Sequence, residues 1–534
     1  MRKFICILLA FTMLLAVAGC GKSSTPSTAD NSDTANPAAT EPGAAPQTAK
    51  TTMIVSSYSD PQTLNPYSID NRNAMRIYFQ VYERLIDRGE ESGSFVGVLA
   101  ESWDIADDGL SITFNLRKGV KFHNGEEMKA SDVLFSFKTM ATYGTVTSGV
   151  DWMSFDEATA PDEYTVVLPL KYKSSLTLWT LARSNMIIVN EKAWTEMGES
   201  VATRAVGTGP FMVKDGDYLL NDQITLTRFD EYWDGPVALE KVVMRFIPES
   251  TQAAIELESG GIDLQLDVAA LDYQRIEDSD KMKLEFFPTN TIDMLHFNNN
   301  MKPFDDYRVR QAIAYAINRE DIFKAVYREW GQIAYSVISP EIFAYTNEFE
   351  GENWPYKLDY DKSKALLAEA GYPDGFTFDL CIDQDVNRQA VSEIIKNQLT
   401  NIGVTANIVN MEQSALNDMI AQNTAQSWCF GISAASMEPD LAMFVRYHKS
   451  VATNGGSNHT RFSNDAYSEL LDKARLSFDN AEKLQYYTEA QRIWMEQCPS
   501  VPYYVRPQVT ASVMNLKGLR GYGEVYLFKN CYFE

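Results

Sequence analysis

The sequence predicts an α/β protein whose folded body divides into two or three lobes. Three observations point there. Strand-like and helix-like segments alternate along the whole body. About 480 of the 534 residues remain once the N-terminal region is set aside, more than one hydrophobic core usually supports. Strand-like pieces lie near both ends of that body, so the C-terminus is expected to return to the first lobe.

The chain opens with Arg2 and Lys3, and Phe4 to Gly19 is almost wholly apolar. This is the pattern of a secretory signal, and the run is short for a membrane span. Val17-Ala18-Gly19-Cys20 resembles the bacterial lipobox, in which the peptide is cut before the cysteine and the new N-terminal thiol is lipidated. Residues 21–50 hold no Val, Ile, Leu, Met or aromatic side chain. Such a stretch cannot bury enough surface to offset its ordering entropy. As a flexible tether it would span roughly 30 Å. The expected plan is a signal peptide at 1–19, a lipidated Cys20 with a disordered tether at 20–50, and a body outside the cytoplasm, held at a membrane surface.

Within the body, Ser111 to Leu116 alternates strictly and reads as a strand with one buried face. Asn124-Gly125 is a turn signal. A helix begins near Ser131-Asp132 and buries Val133, Leu134, Phe137 and Met140. Asp305 and Asp306 suit a helix start, where carboxylates complement the dipole, and Val309, Ile313, Ala316 and Ile317 form its stripe. Tyr360 to Ala370 reads as a helix stopped by Gly371 and Pro373-Asp374-Gly375. Thr377 to Ile382 is a strand, Gln389 to Thr400 a helix ended at Gly403, and Val404 to Val409 a strand. That succession predicts parallel pairing. Asn464 to Ala474 and Asn480 to Gln497 are helical, and Val501 to Val505 and Val509 to Val513 are strands.

The signal removed, 45 Lys and Arg face 72 Asp and Glu, a formal charge of −27. This argues against nucleic acid or an anionic membrane surface as ligand. Cys381, Cys429, Cys498 and Cys531 could form up to two disulfides in an oxidising compartment, with three connectivities. No pair has metal-ligand spacing. His448 and His459 lack a third ligand at matching spacing, so no metal is expected. Gly207-Thr208-Gly209-Pro210-Phe211 lacks the Lys-Ser/Thr of a phosphate loop, and its glycines fit a tight approach to a strand. No GxSxG elbow appears, so neither an enzyme nor a cofactor is expected.

Several segments, in order, resemble family 5 of the extracellular solute-binding proteins. They are Leu64-Asn65-Pro66-Tyr67, Tyr82-Glu83-Arg84-Leu85-Ile86, Leu99-Ala100-Glu101-Ser102-Trp103 and Asp107-Asp108-Gly109-Leu110. Leu116-Arg117-Lys118-Gly119-Val120-Lys121-Phe122-His123-Asn124-Gly125 runs on to Ser131-Asp132-Val133. Gly207 to Phe211, Tyr232-Trp233 and Arg308-Val309-Arg310-Gln311-Ala312-Ile313 complete the series. Family members are receptors of peptide, opine, nickel and oligosaccharide ABC importers. The resemblance implies an α/β, two-lobe periplasmic-binding-protein-like fold, type II, of the large variety with an inserted third subdomain. It places the core of lobe I at 51–95, 206–298 and 506–534, the insert at 96–205 and lobe II at 299–505, with hinge strands near 298 and 505. It implies a monomer that hands its solute to ABC permease subunits.

Peptide binders of this family hold the ligand's amine on an aspartate four residues before the proline of an acidic-Pro-Asp motif. Here the motif is Glu438-Pro439-Asp440 and the residue in question is Ala435. A buried ammonium without a partner is costly, so a free-amine peptide would need another carboxylate. By likeness, the ligand-binding residues are Tyr67, Tyr143, Trp152, Arg183, Trp428, Ser433, Met437 and Arg446. Aromatic faces with polar neighbours suit an oligosaccharide as well as an apolar or blocked peptide. Two other classes stay open: a surface interaction or chaperone lipoprotein, which would have a shallow or filled cleft, and a tethered hydrolase, which would need convergent carboxylates or a triad.

Overall fold

The computed structural model describes residues 50–68, 71–89, 91–144, 151–433, 438–453, 456–522 and 525–534. Residues 49–534 form one compact unit. The signal, Cys20 and the tether lie outside the described residues, as do Ala435 and Met437.

Two large sheets organise the body. The first has eight strands, in the order Met282–Phe287, Gln508–Val513, Leu264–Gln265, Thr52–Ser57, Lys241–Phe246, Gln223–Arg228 and Phe211–Met212, with Tyr218–Leu219 paired to Gln223–Arg228. The chain's first body strand and its late strand Gln508–Val513 thus share a sheet, both beside Leu264–Gln265. The second sheet runs Thr405–Asn410, Thr377–Ile382, Ser427–Ser433, Thr291–Phe297, Ser500–Val505. Thr377–Ile382 pairs in parallel with Thr405–Asn410, as the helix–strand succession predicts. A smaller antiparallel sheet, Ala100–Ile105, Ser111–Leu116, Thr165–Pro169, Thr159–Asp162, lies between the segments of the first.

Local chemistry sets the elements. Ser111–Leu116 buries Ile112, Phe114 and Leu116, the alternate residues of one pleat face. The helix Ala130–Ala141 buries Val133, Phe137 and Met140. Asp306 caps the helix Tyr307–Ala316 by accepting the Arg308 N–H. Asp385 caps Val386–Leu399, which begins three residues before the expected Gln389. Gly207 is required by a close approach: a Cβ there would lie 2.0 Å from the Val81 carbonyl oxygen.

The chain crosses between the two sheets at 288–290 and again at 506–507, because Phe287 still pairs in the first sheet and Thr291 already pairs in the second. The resemblance puts hinge strands near 298 and 505; the second crossing is at 506–507. The first lies earlier than residue 298, since Thr291–Phe297 is hydrogen-bonded on both sides inside the second sheet.

All four described cysteines are buried and unbonded, so no disulfide forms among them. Cys381 stands opposite Trp428 in the parallel ladder, so Cys429, one residue on, faces the other side of the sheet. Among the described residues no helix is long and apolar enough to cross a membrane.

Candidate functional site

The second sheet aims its strand ends at the crossings. Ile382, Asn410, Ser433 and Val505 end four mutually parallel strands on one edge, and Thr291 begins the antiparallel strand there. Ligands of open α/β sheets bind outside such carboxyl ends. Both crossings meet this edge. The Arg506 N–H donates to the Thr291 carbonyl at 3.0 Å, and the Thr289 hydroxyl donates to the Arg506 carbonyl. The Arg506 guanidinium clamps Asp293 through contacts of 2.8 and 3.0 Å. Asp293 is buried, and its charge is the largest influence holding Arg506 above its ordinary pKa.

Beside this pair lies a second. Asp383 follows Ile382 directly and accepts a hydrogen bond from Arg388, in the first turn of the next helix. Both are buried, with side-chain exposures of 9% for Arg388 and 7% for Asp383. Burial pulls the Arg388 guanidinium down, but Asp383, Asp293 and Asp385 together outweigh it and leave it raised. Its face lies over the Phe430 ring, 4.7 Å away.

Aromatic contacts bridge the halves at two places. Next to the crossings, Trp330 stacks on Phe286 of the first sheet at 5.0 Å and meets Tyr273 edge-on at 5.3 Å. Separately, Trp179, from the segment carrying the small sheet, sits between Phe95 at 5.0 Å and Phe343 at 6.1 Å. Nearby, Ser175 donates its N–H to the Arg475 carbonyl and its hydroxyl to the Ala474 carbonyl.

The expected contact residues fall into groups. Tyr67 and Tyr143 come together, ring centroids 5.8 Å apart. Tyr67, however, is fully buried, with Trp194 at 5.4 Å, and its hydroxyl donates to the Ile187 carbonyl at 2.6 Å. It packs the core in this conformation instead of presenting a face. Tyr143 is half-buried and accepts a hydrogen bond from Asn65. Trp152 is buried at 7% exposure and donates to the Thr177 hydroxyl at 3.1 Å. Arg183 is half-buried just after the helix Thr177–Leu181. Ser433 stands at the strand edge, 3.4 Å from the Asn290 side chain.

Trp428 and Arg446 share a cavity of about 320 Å³ with His296, Phe430, Ile432 and His459. Trp428 stacks on His296 at 5.5 Å. Burial drives His296 down to about 3 and lowers His459, with Arg446 adding to both, so both rings are neutral near pH 7. His448 points elsewhere, stacked on Phe444 at 3.9 Å. Among the described residues no cluster of three or more His, Cys, Asp or Glu could hold a metal ion.

Glu438 caps the helix Pro439–Tyr447, accepting the Asp440 N–H at 2.8 Å and the Tyr487 hydroxyl at 3.1 Å. Burial, then the Asp440 charge, pushes Glu438 well above its ordinary pKa. The folded state therefore keeps a proton that the unfolded chain releases above pH ~4.5. Stability from this group is present below that pH and falls as pH rises towards the raised folded value. Glu438→Gln is expected to reduce the fall in stability between pH 5 and 8 by on the order of 1 kcal/mol, read from urea midpoints at the two pH values.

The sequence reading did not single out Asp293, Arg506, Asp383, Arg388, Trp330 or Trp179. Only Asp385 before a helical run was a usable local signal, for a cap next to Arg388.

Comparison with known proteins places this architecture. Residues 94–454 match bacterial extracellular solute-binding proteins, family 5 (middle region). The chain is 32% identical over 451 residues to heme-binding protein A of Haemophilus influenzae, covering 79% of this chain and 81% of that protein. It is 27% identical over 479 residues to the dipeptide-binding protein of Escherichia coli, covering 84% and 88%. The structure superposes on a dipeptide-binding protein of a Pseudoalteromonas species in complex with Met-Leu, with a TM-score of 0.71 and 26% identity, covering 90% and 100%. Two α/β sheets joined by paired crossings, and a family match over most of the body, lead to one statement: the chain belongs to family 5 of the bacterial extracellular solute-binding proteins.

Proposed function

We propose that this protein is the solute receptor of an ABC importer, that it captures a peptide-like solute between two closing lobes, and that a lipid on Cys20 holds it at the membrane for delivery to the permease. The observation that carries this reading is the paired crossing, with the charged pairs Asp293–Arg506 and Asp383–Arg388 at the facing edge. Two side-by-side connections make a natural hinge. Relatives named for dipeptide binding support the solute class. Lobe I would comprise the first sheet and the segment with the small sheet, and lobe II residues from Thr291 to Val505. Of the expected contacts, Ser433 lies at this edge, Trp428 and Arg446 line a cavity along the same strand, and we place Tyr143 and Arg183 on the lobe I side. The protein works without covalent chemistry: a solute touching both lobes only when they are closed shifts the population towards closure.

Trp179 would then act as a latch between the lobes, through Phe95 and Phe343. Ring pairs are worth about 0.5–1.5 kcal/mol each beyond area burial. Trp179→Ala is expected to weaken solute binding about five-fold or more, chiefly through faster dissociation, measured by stopped-flow release. Trp179→Phe should recover part of it.

A thermal-shift screen of protein stripped by partial unfolding and refolding tests the solute class. The panel holds di- to hexapeptides, N-blocked peptides, α- and β-linked oligosaccharides, and nickel with chelators. A solute at about 100 times its dissociation constant adds about 2.7 kcal/mol. Shifts with peptides support the reading; a shift with oligosaccharides alone overturns it.

A further inference from the structure

The pocket holding Trp428 has an unusual wall. Ile420, Trp428, Phe430 and Ile432 make most of it apolar, yet the half-buried Arg446 also lines it. Among the described residues, the Arg446 guanidinium has no carboxylate and no hydrogen-bond acceptor, and its Nε is buried without a partner. The adjoining segments 434–437 and 454–455, Ala-Ala-Ser-Met and Asn-Gly, contain no carboxylate in sequence. Asp418, exposed at the rim, makes no ion pair with it. The two histidines beside it are neutral, and protonation would only add charge of the same sign. Burial lowers the guanidinium from its ordinary pKa, as for a partly buried cation.

A partly buried cation with no counter-ion is unfavourable unless something supplies the missing charge. The pocket's volume, about 320 Å³, is at the small end for a bound organic group. Its strand wall runs from Trp428 to Ile432 and stops one residue short of Ser433 at the edge by the crossings. On the receptor reading, a guest would enter past Ile432 from the solute side. Trp428 and Phe430 favour a flat or apolar body, and Arg446 favours a carboxylate on it.

We infer, on the receptor reading above, that this pocket receives an acid-bearing apolar group of the solute, with Arg446 as its counter-ion. The solute class narrows to peptide-like molecules with a carboxylate next to an aromatic or aliphatic group. An amine-anchoring aspartate is then less needed, because the charged grip lies at the acidic end of the solute.

The test uses phenylacetate and phenylacetamide, titrated into the purified stripped protein and followed by calorimetry. Wild type is expected to bind the acid at least tenfold more tightly than the amide. Arg446→Met should abolish that preference, and Arg446→Lys should retain part of it. Ligand-free Arg446→Met should melt at or above wild type, since an uncompensated charge is removed. Equal affinity for acid and amide, no saturable binding of either, an unchanged preference in Arg446→Met, or a drop of several degrees in its melting point each overturn the inference. The peptide screen separates the two levels. If phenylacetate discrimination holds and no peptide binds, the peptide reading fails and the pocket chemistry stands. If peptides bind and Arg446→Met changes no acid preference, the pocket assignment fails alone.

Discussion

Asp383→Ala is expected to lower stability by about 3–5 kcal/mol, because it leaves the buried Arg388 without the carboxylate that balances it. The guanidinium cannot turn freely to water, with its face over Phe430. Asp383 also accepts the Asp385 N–H at 3.2 Å, so the loop leading into the next helix loosens as well. Asp383→Asn should cost less, since it keeps an acceptor for both donors. Replacing both members, Asp383→Ala with Arg388→Met, should recover much of the loss, because a matched apolar pair leaves no stranded charge. Urea unfolding of the three variants checks this. A loss under about 1 kcal/mol in Asp383→Ala would mean that other carboxylates already balance Arg388.

Cys20→Ser is expected to move nearly all of the protein from the membrane fraction into the soluble fraction. The proposed anchor depends on one thiol, as serine cannot take the thioether-linked lipid. The rest of the chain offers little to replace it: the formal charge after the signal is −27, and no described helix could span a bilayer. Cell fractionation followed by immunoblotting reads the result. Continued membrane retention of Cys20→Ser, at wild-type level, would mean that no lipid on Cys20 anchors the protein.

How much of this was legible in the sequence depends on the range of the interaction. Thr377–Ile382 and Asn480–Gln497 match the sequence reading end to end, because periodicity and flanking turn residues are local signals. Val386 was missed as a helix start because three residues after the Asp385 cap carry no apolar stripe. The first crossing was placed too late for a different reason. Thr291–Phe297 is an apolar strand in either sheet, and only its partners, Ser427–Ser433 and Ser500–Val505, assign it to the second. Tyr67 follows Asn65-Pro66, a loop signal that suggests exposure, yet its hydroxyl meets a carbonyl 120 residues away. Asp293 and Arg506 are 213 residues apart, and no spacing rule reaches that far. Trp428 and Arg446 were singled out by likeness, but the lack of a counter-ion at Arg446 is visible only once its neighbours are in place.

As a solute receptor, the protein should close its two lobes on the solute it binds. Small-angle X-ray scattering of stripped protein, before and after adding a peptide that raises its melting temperature, tests it most directly. The radius of gyration is expected to shrink with solute bound, and to respond less in Trp179→Ala at the same sub-saturating concentration. An identical radius with and without a saturating solute would contradict closure.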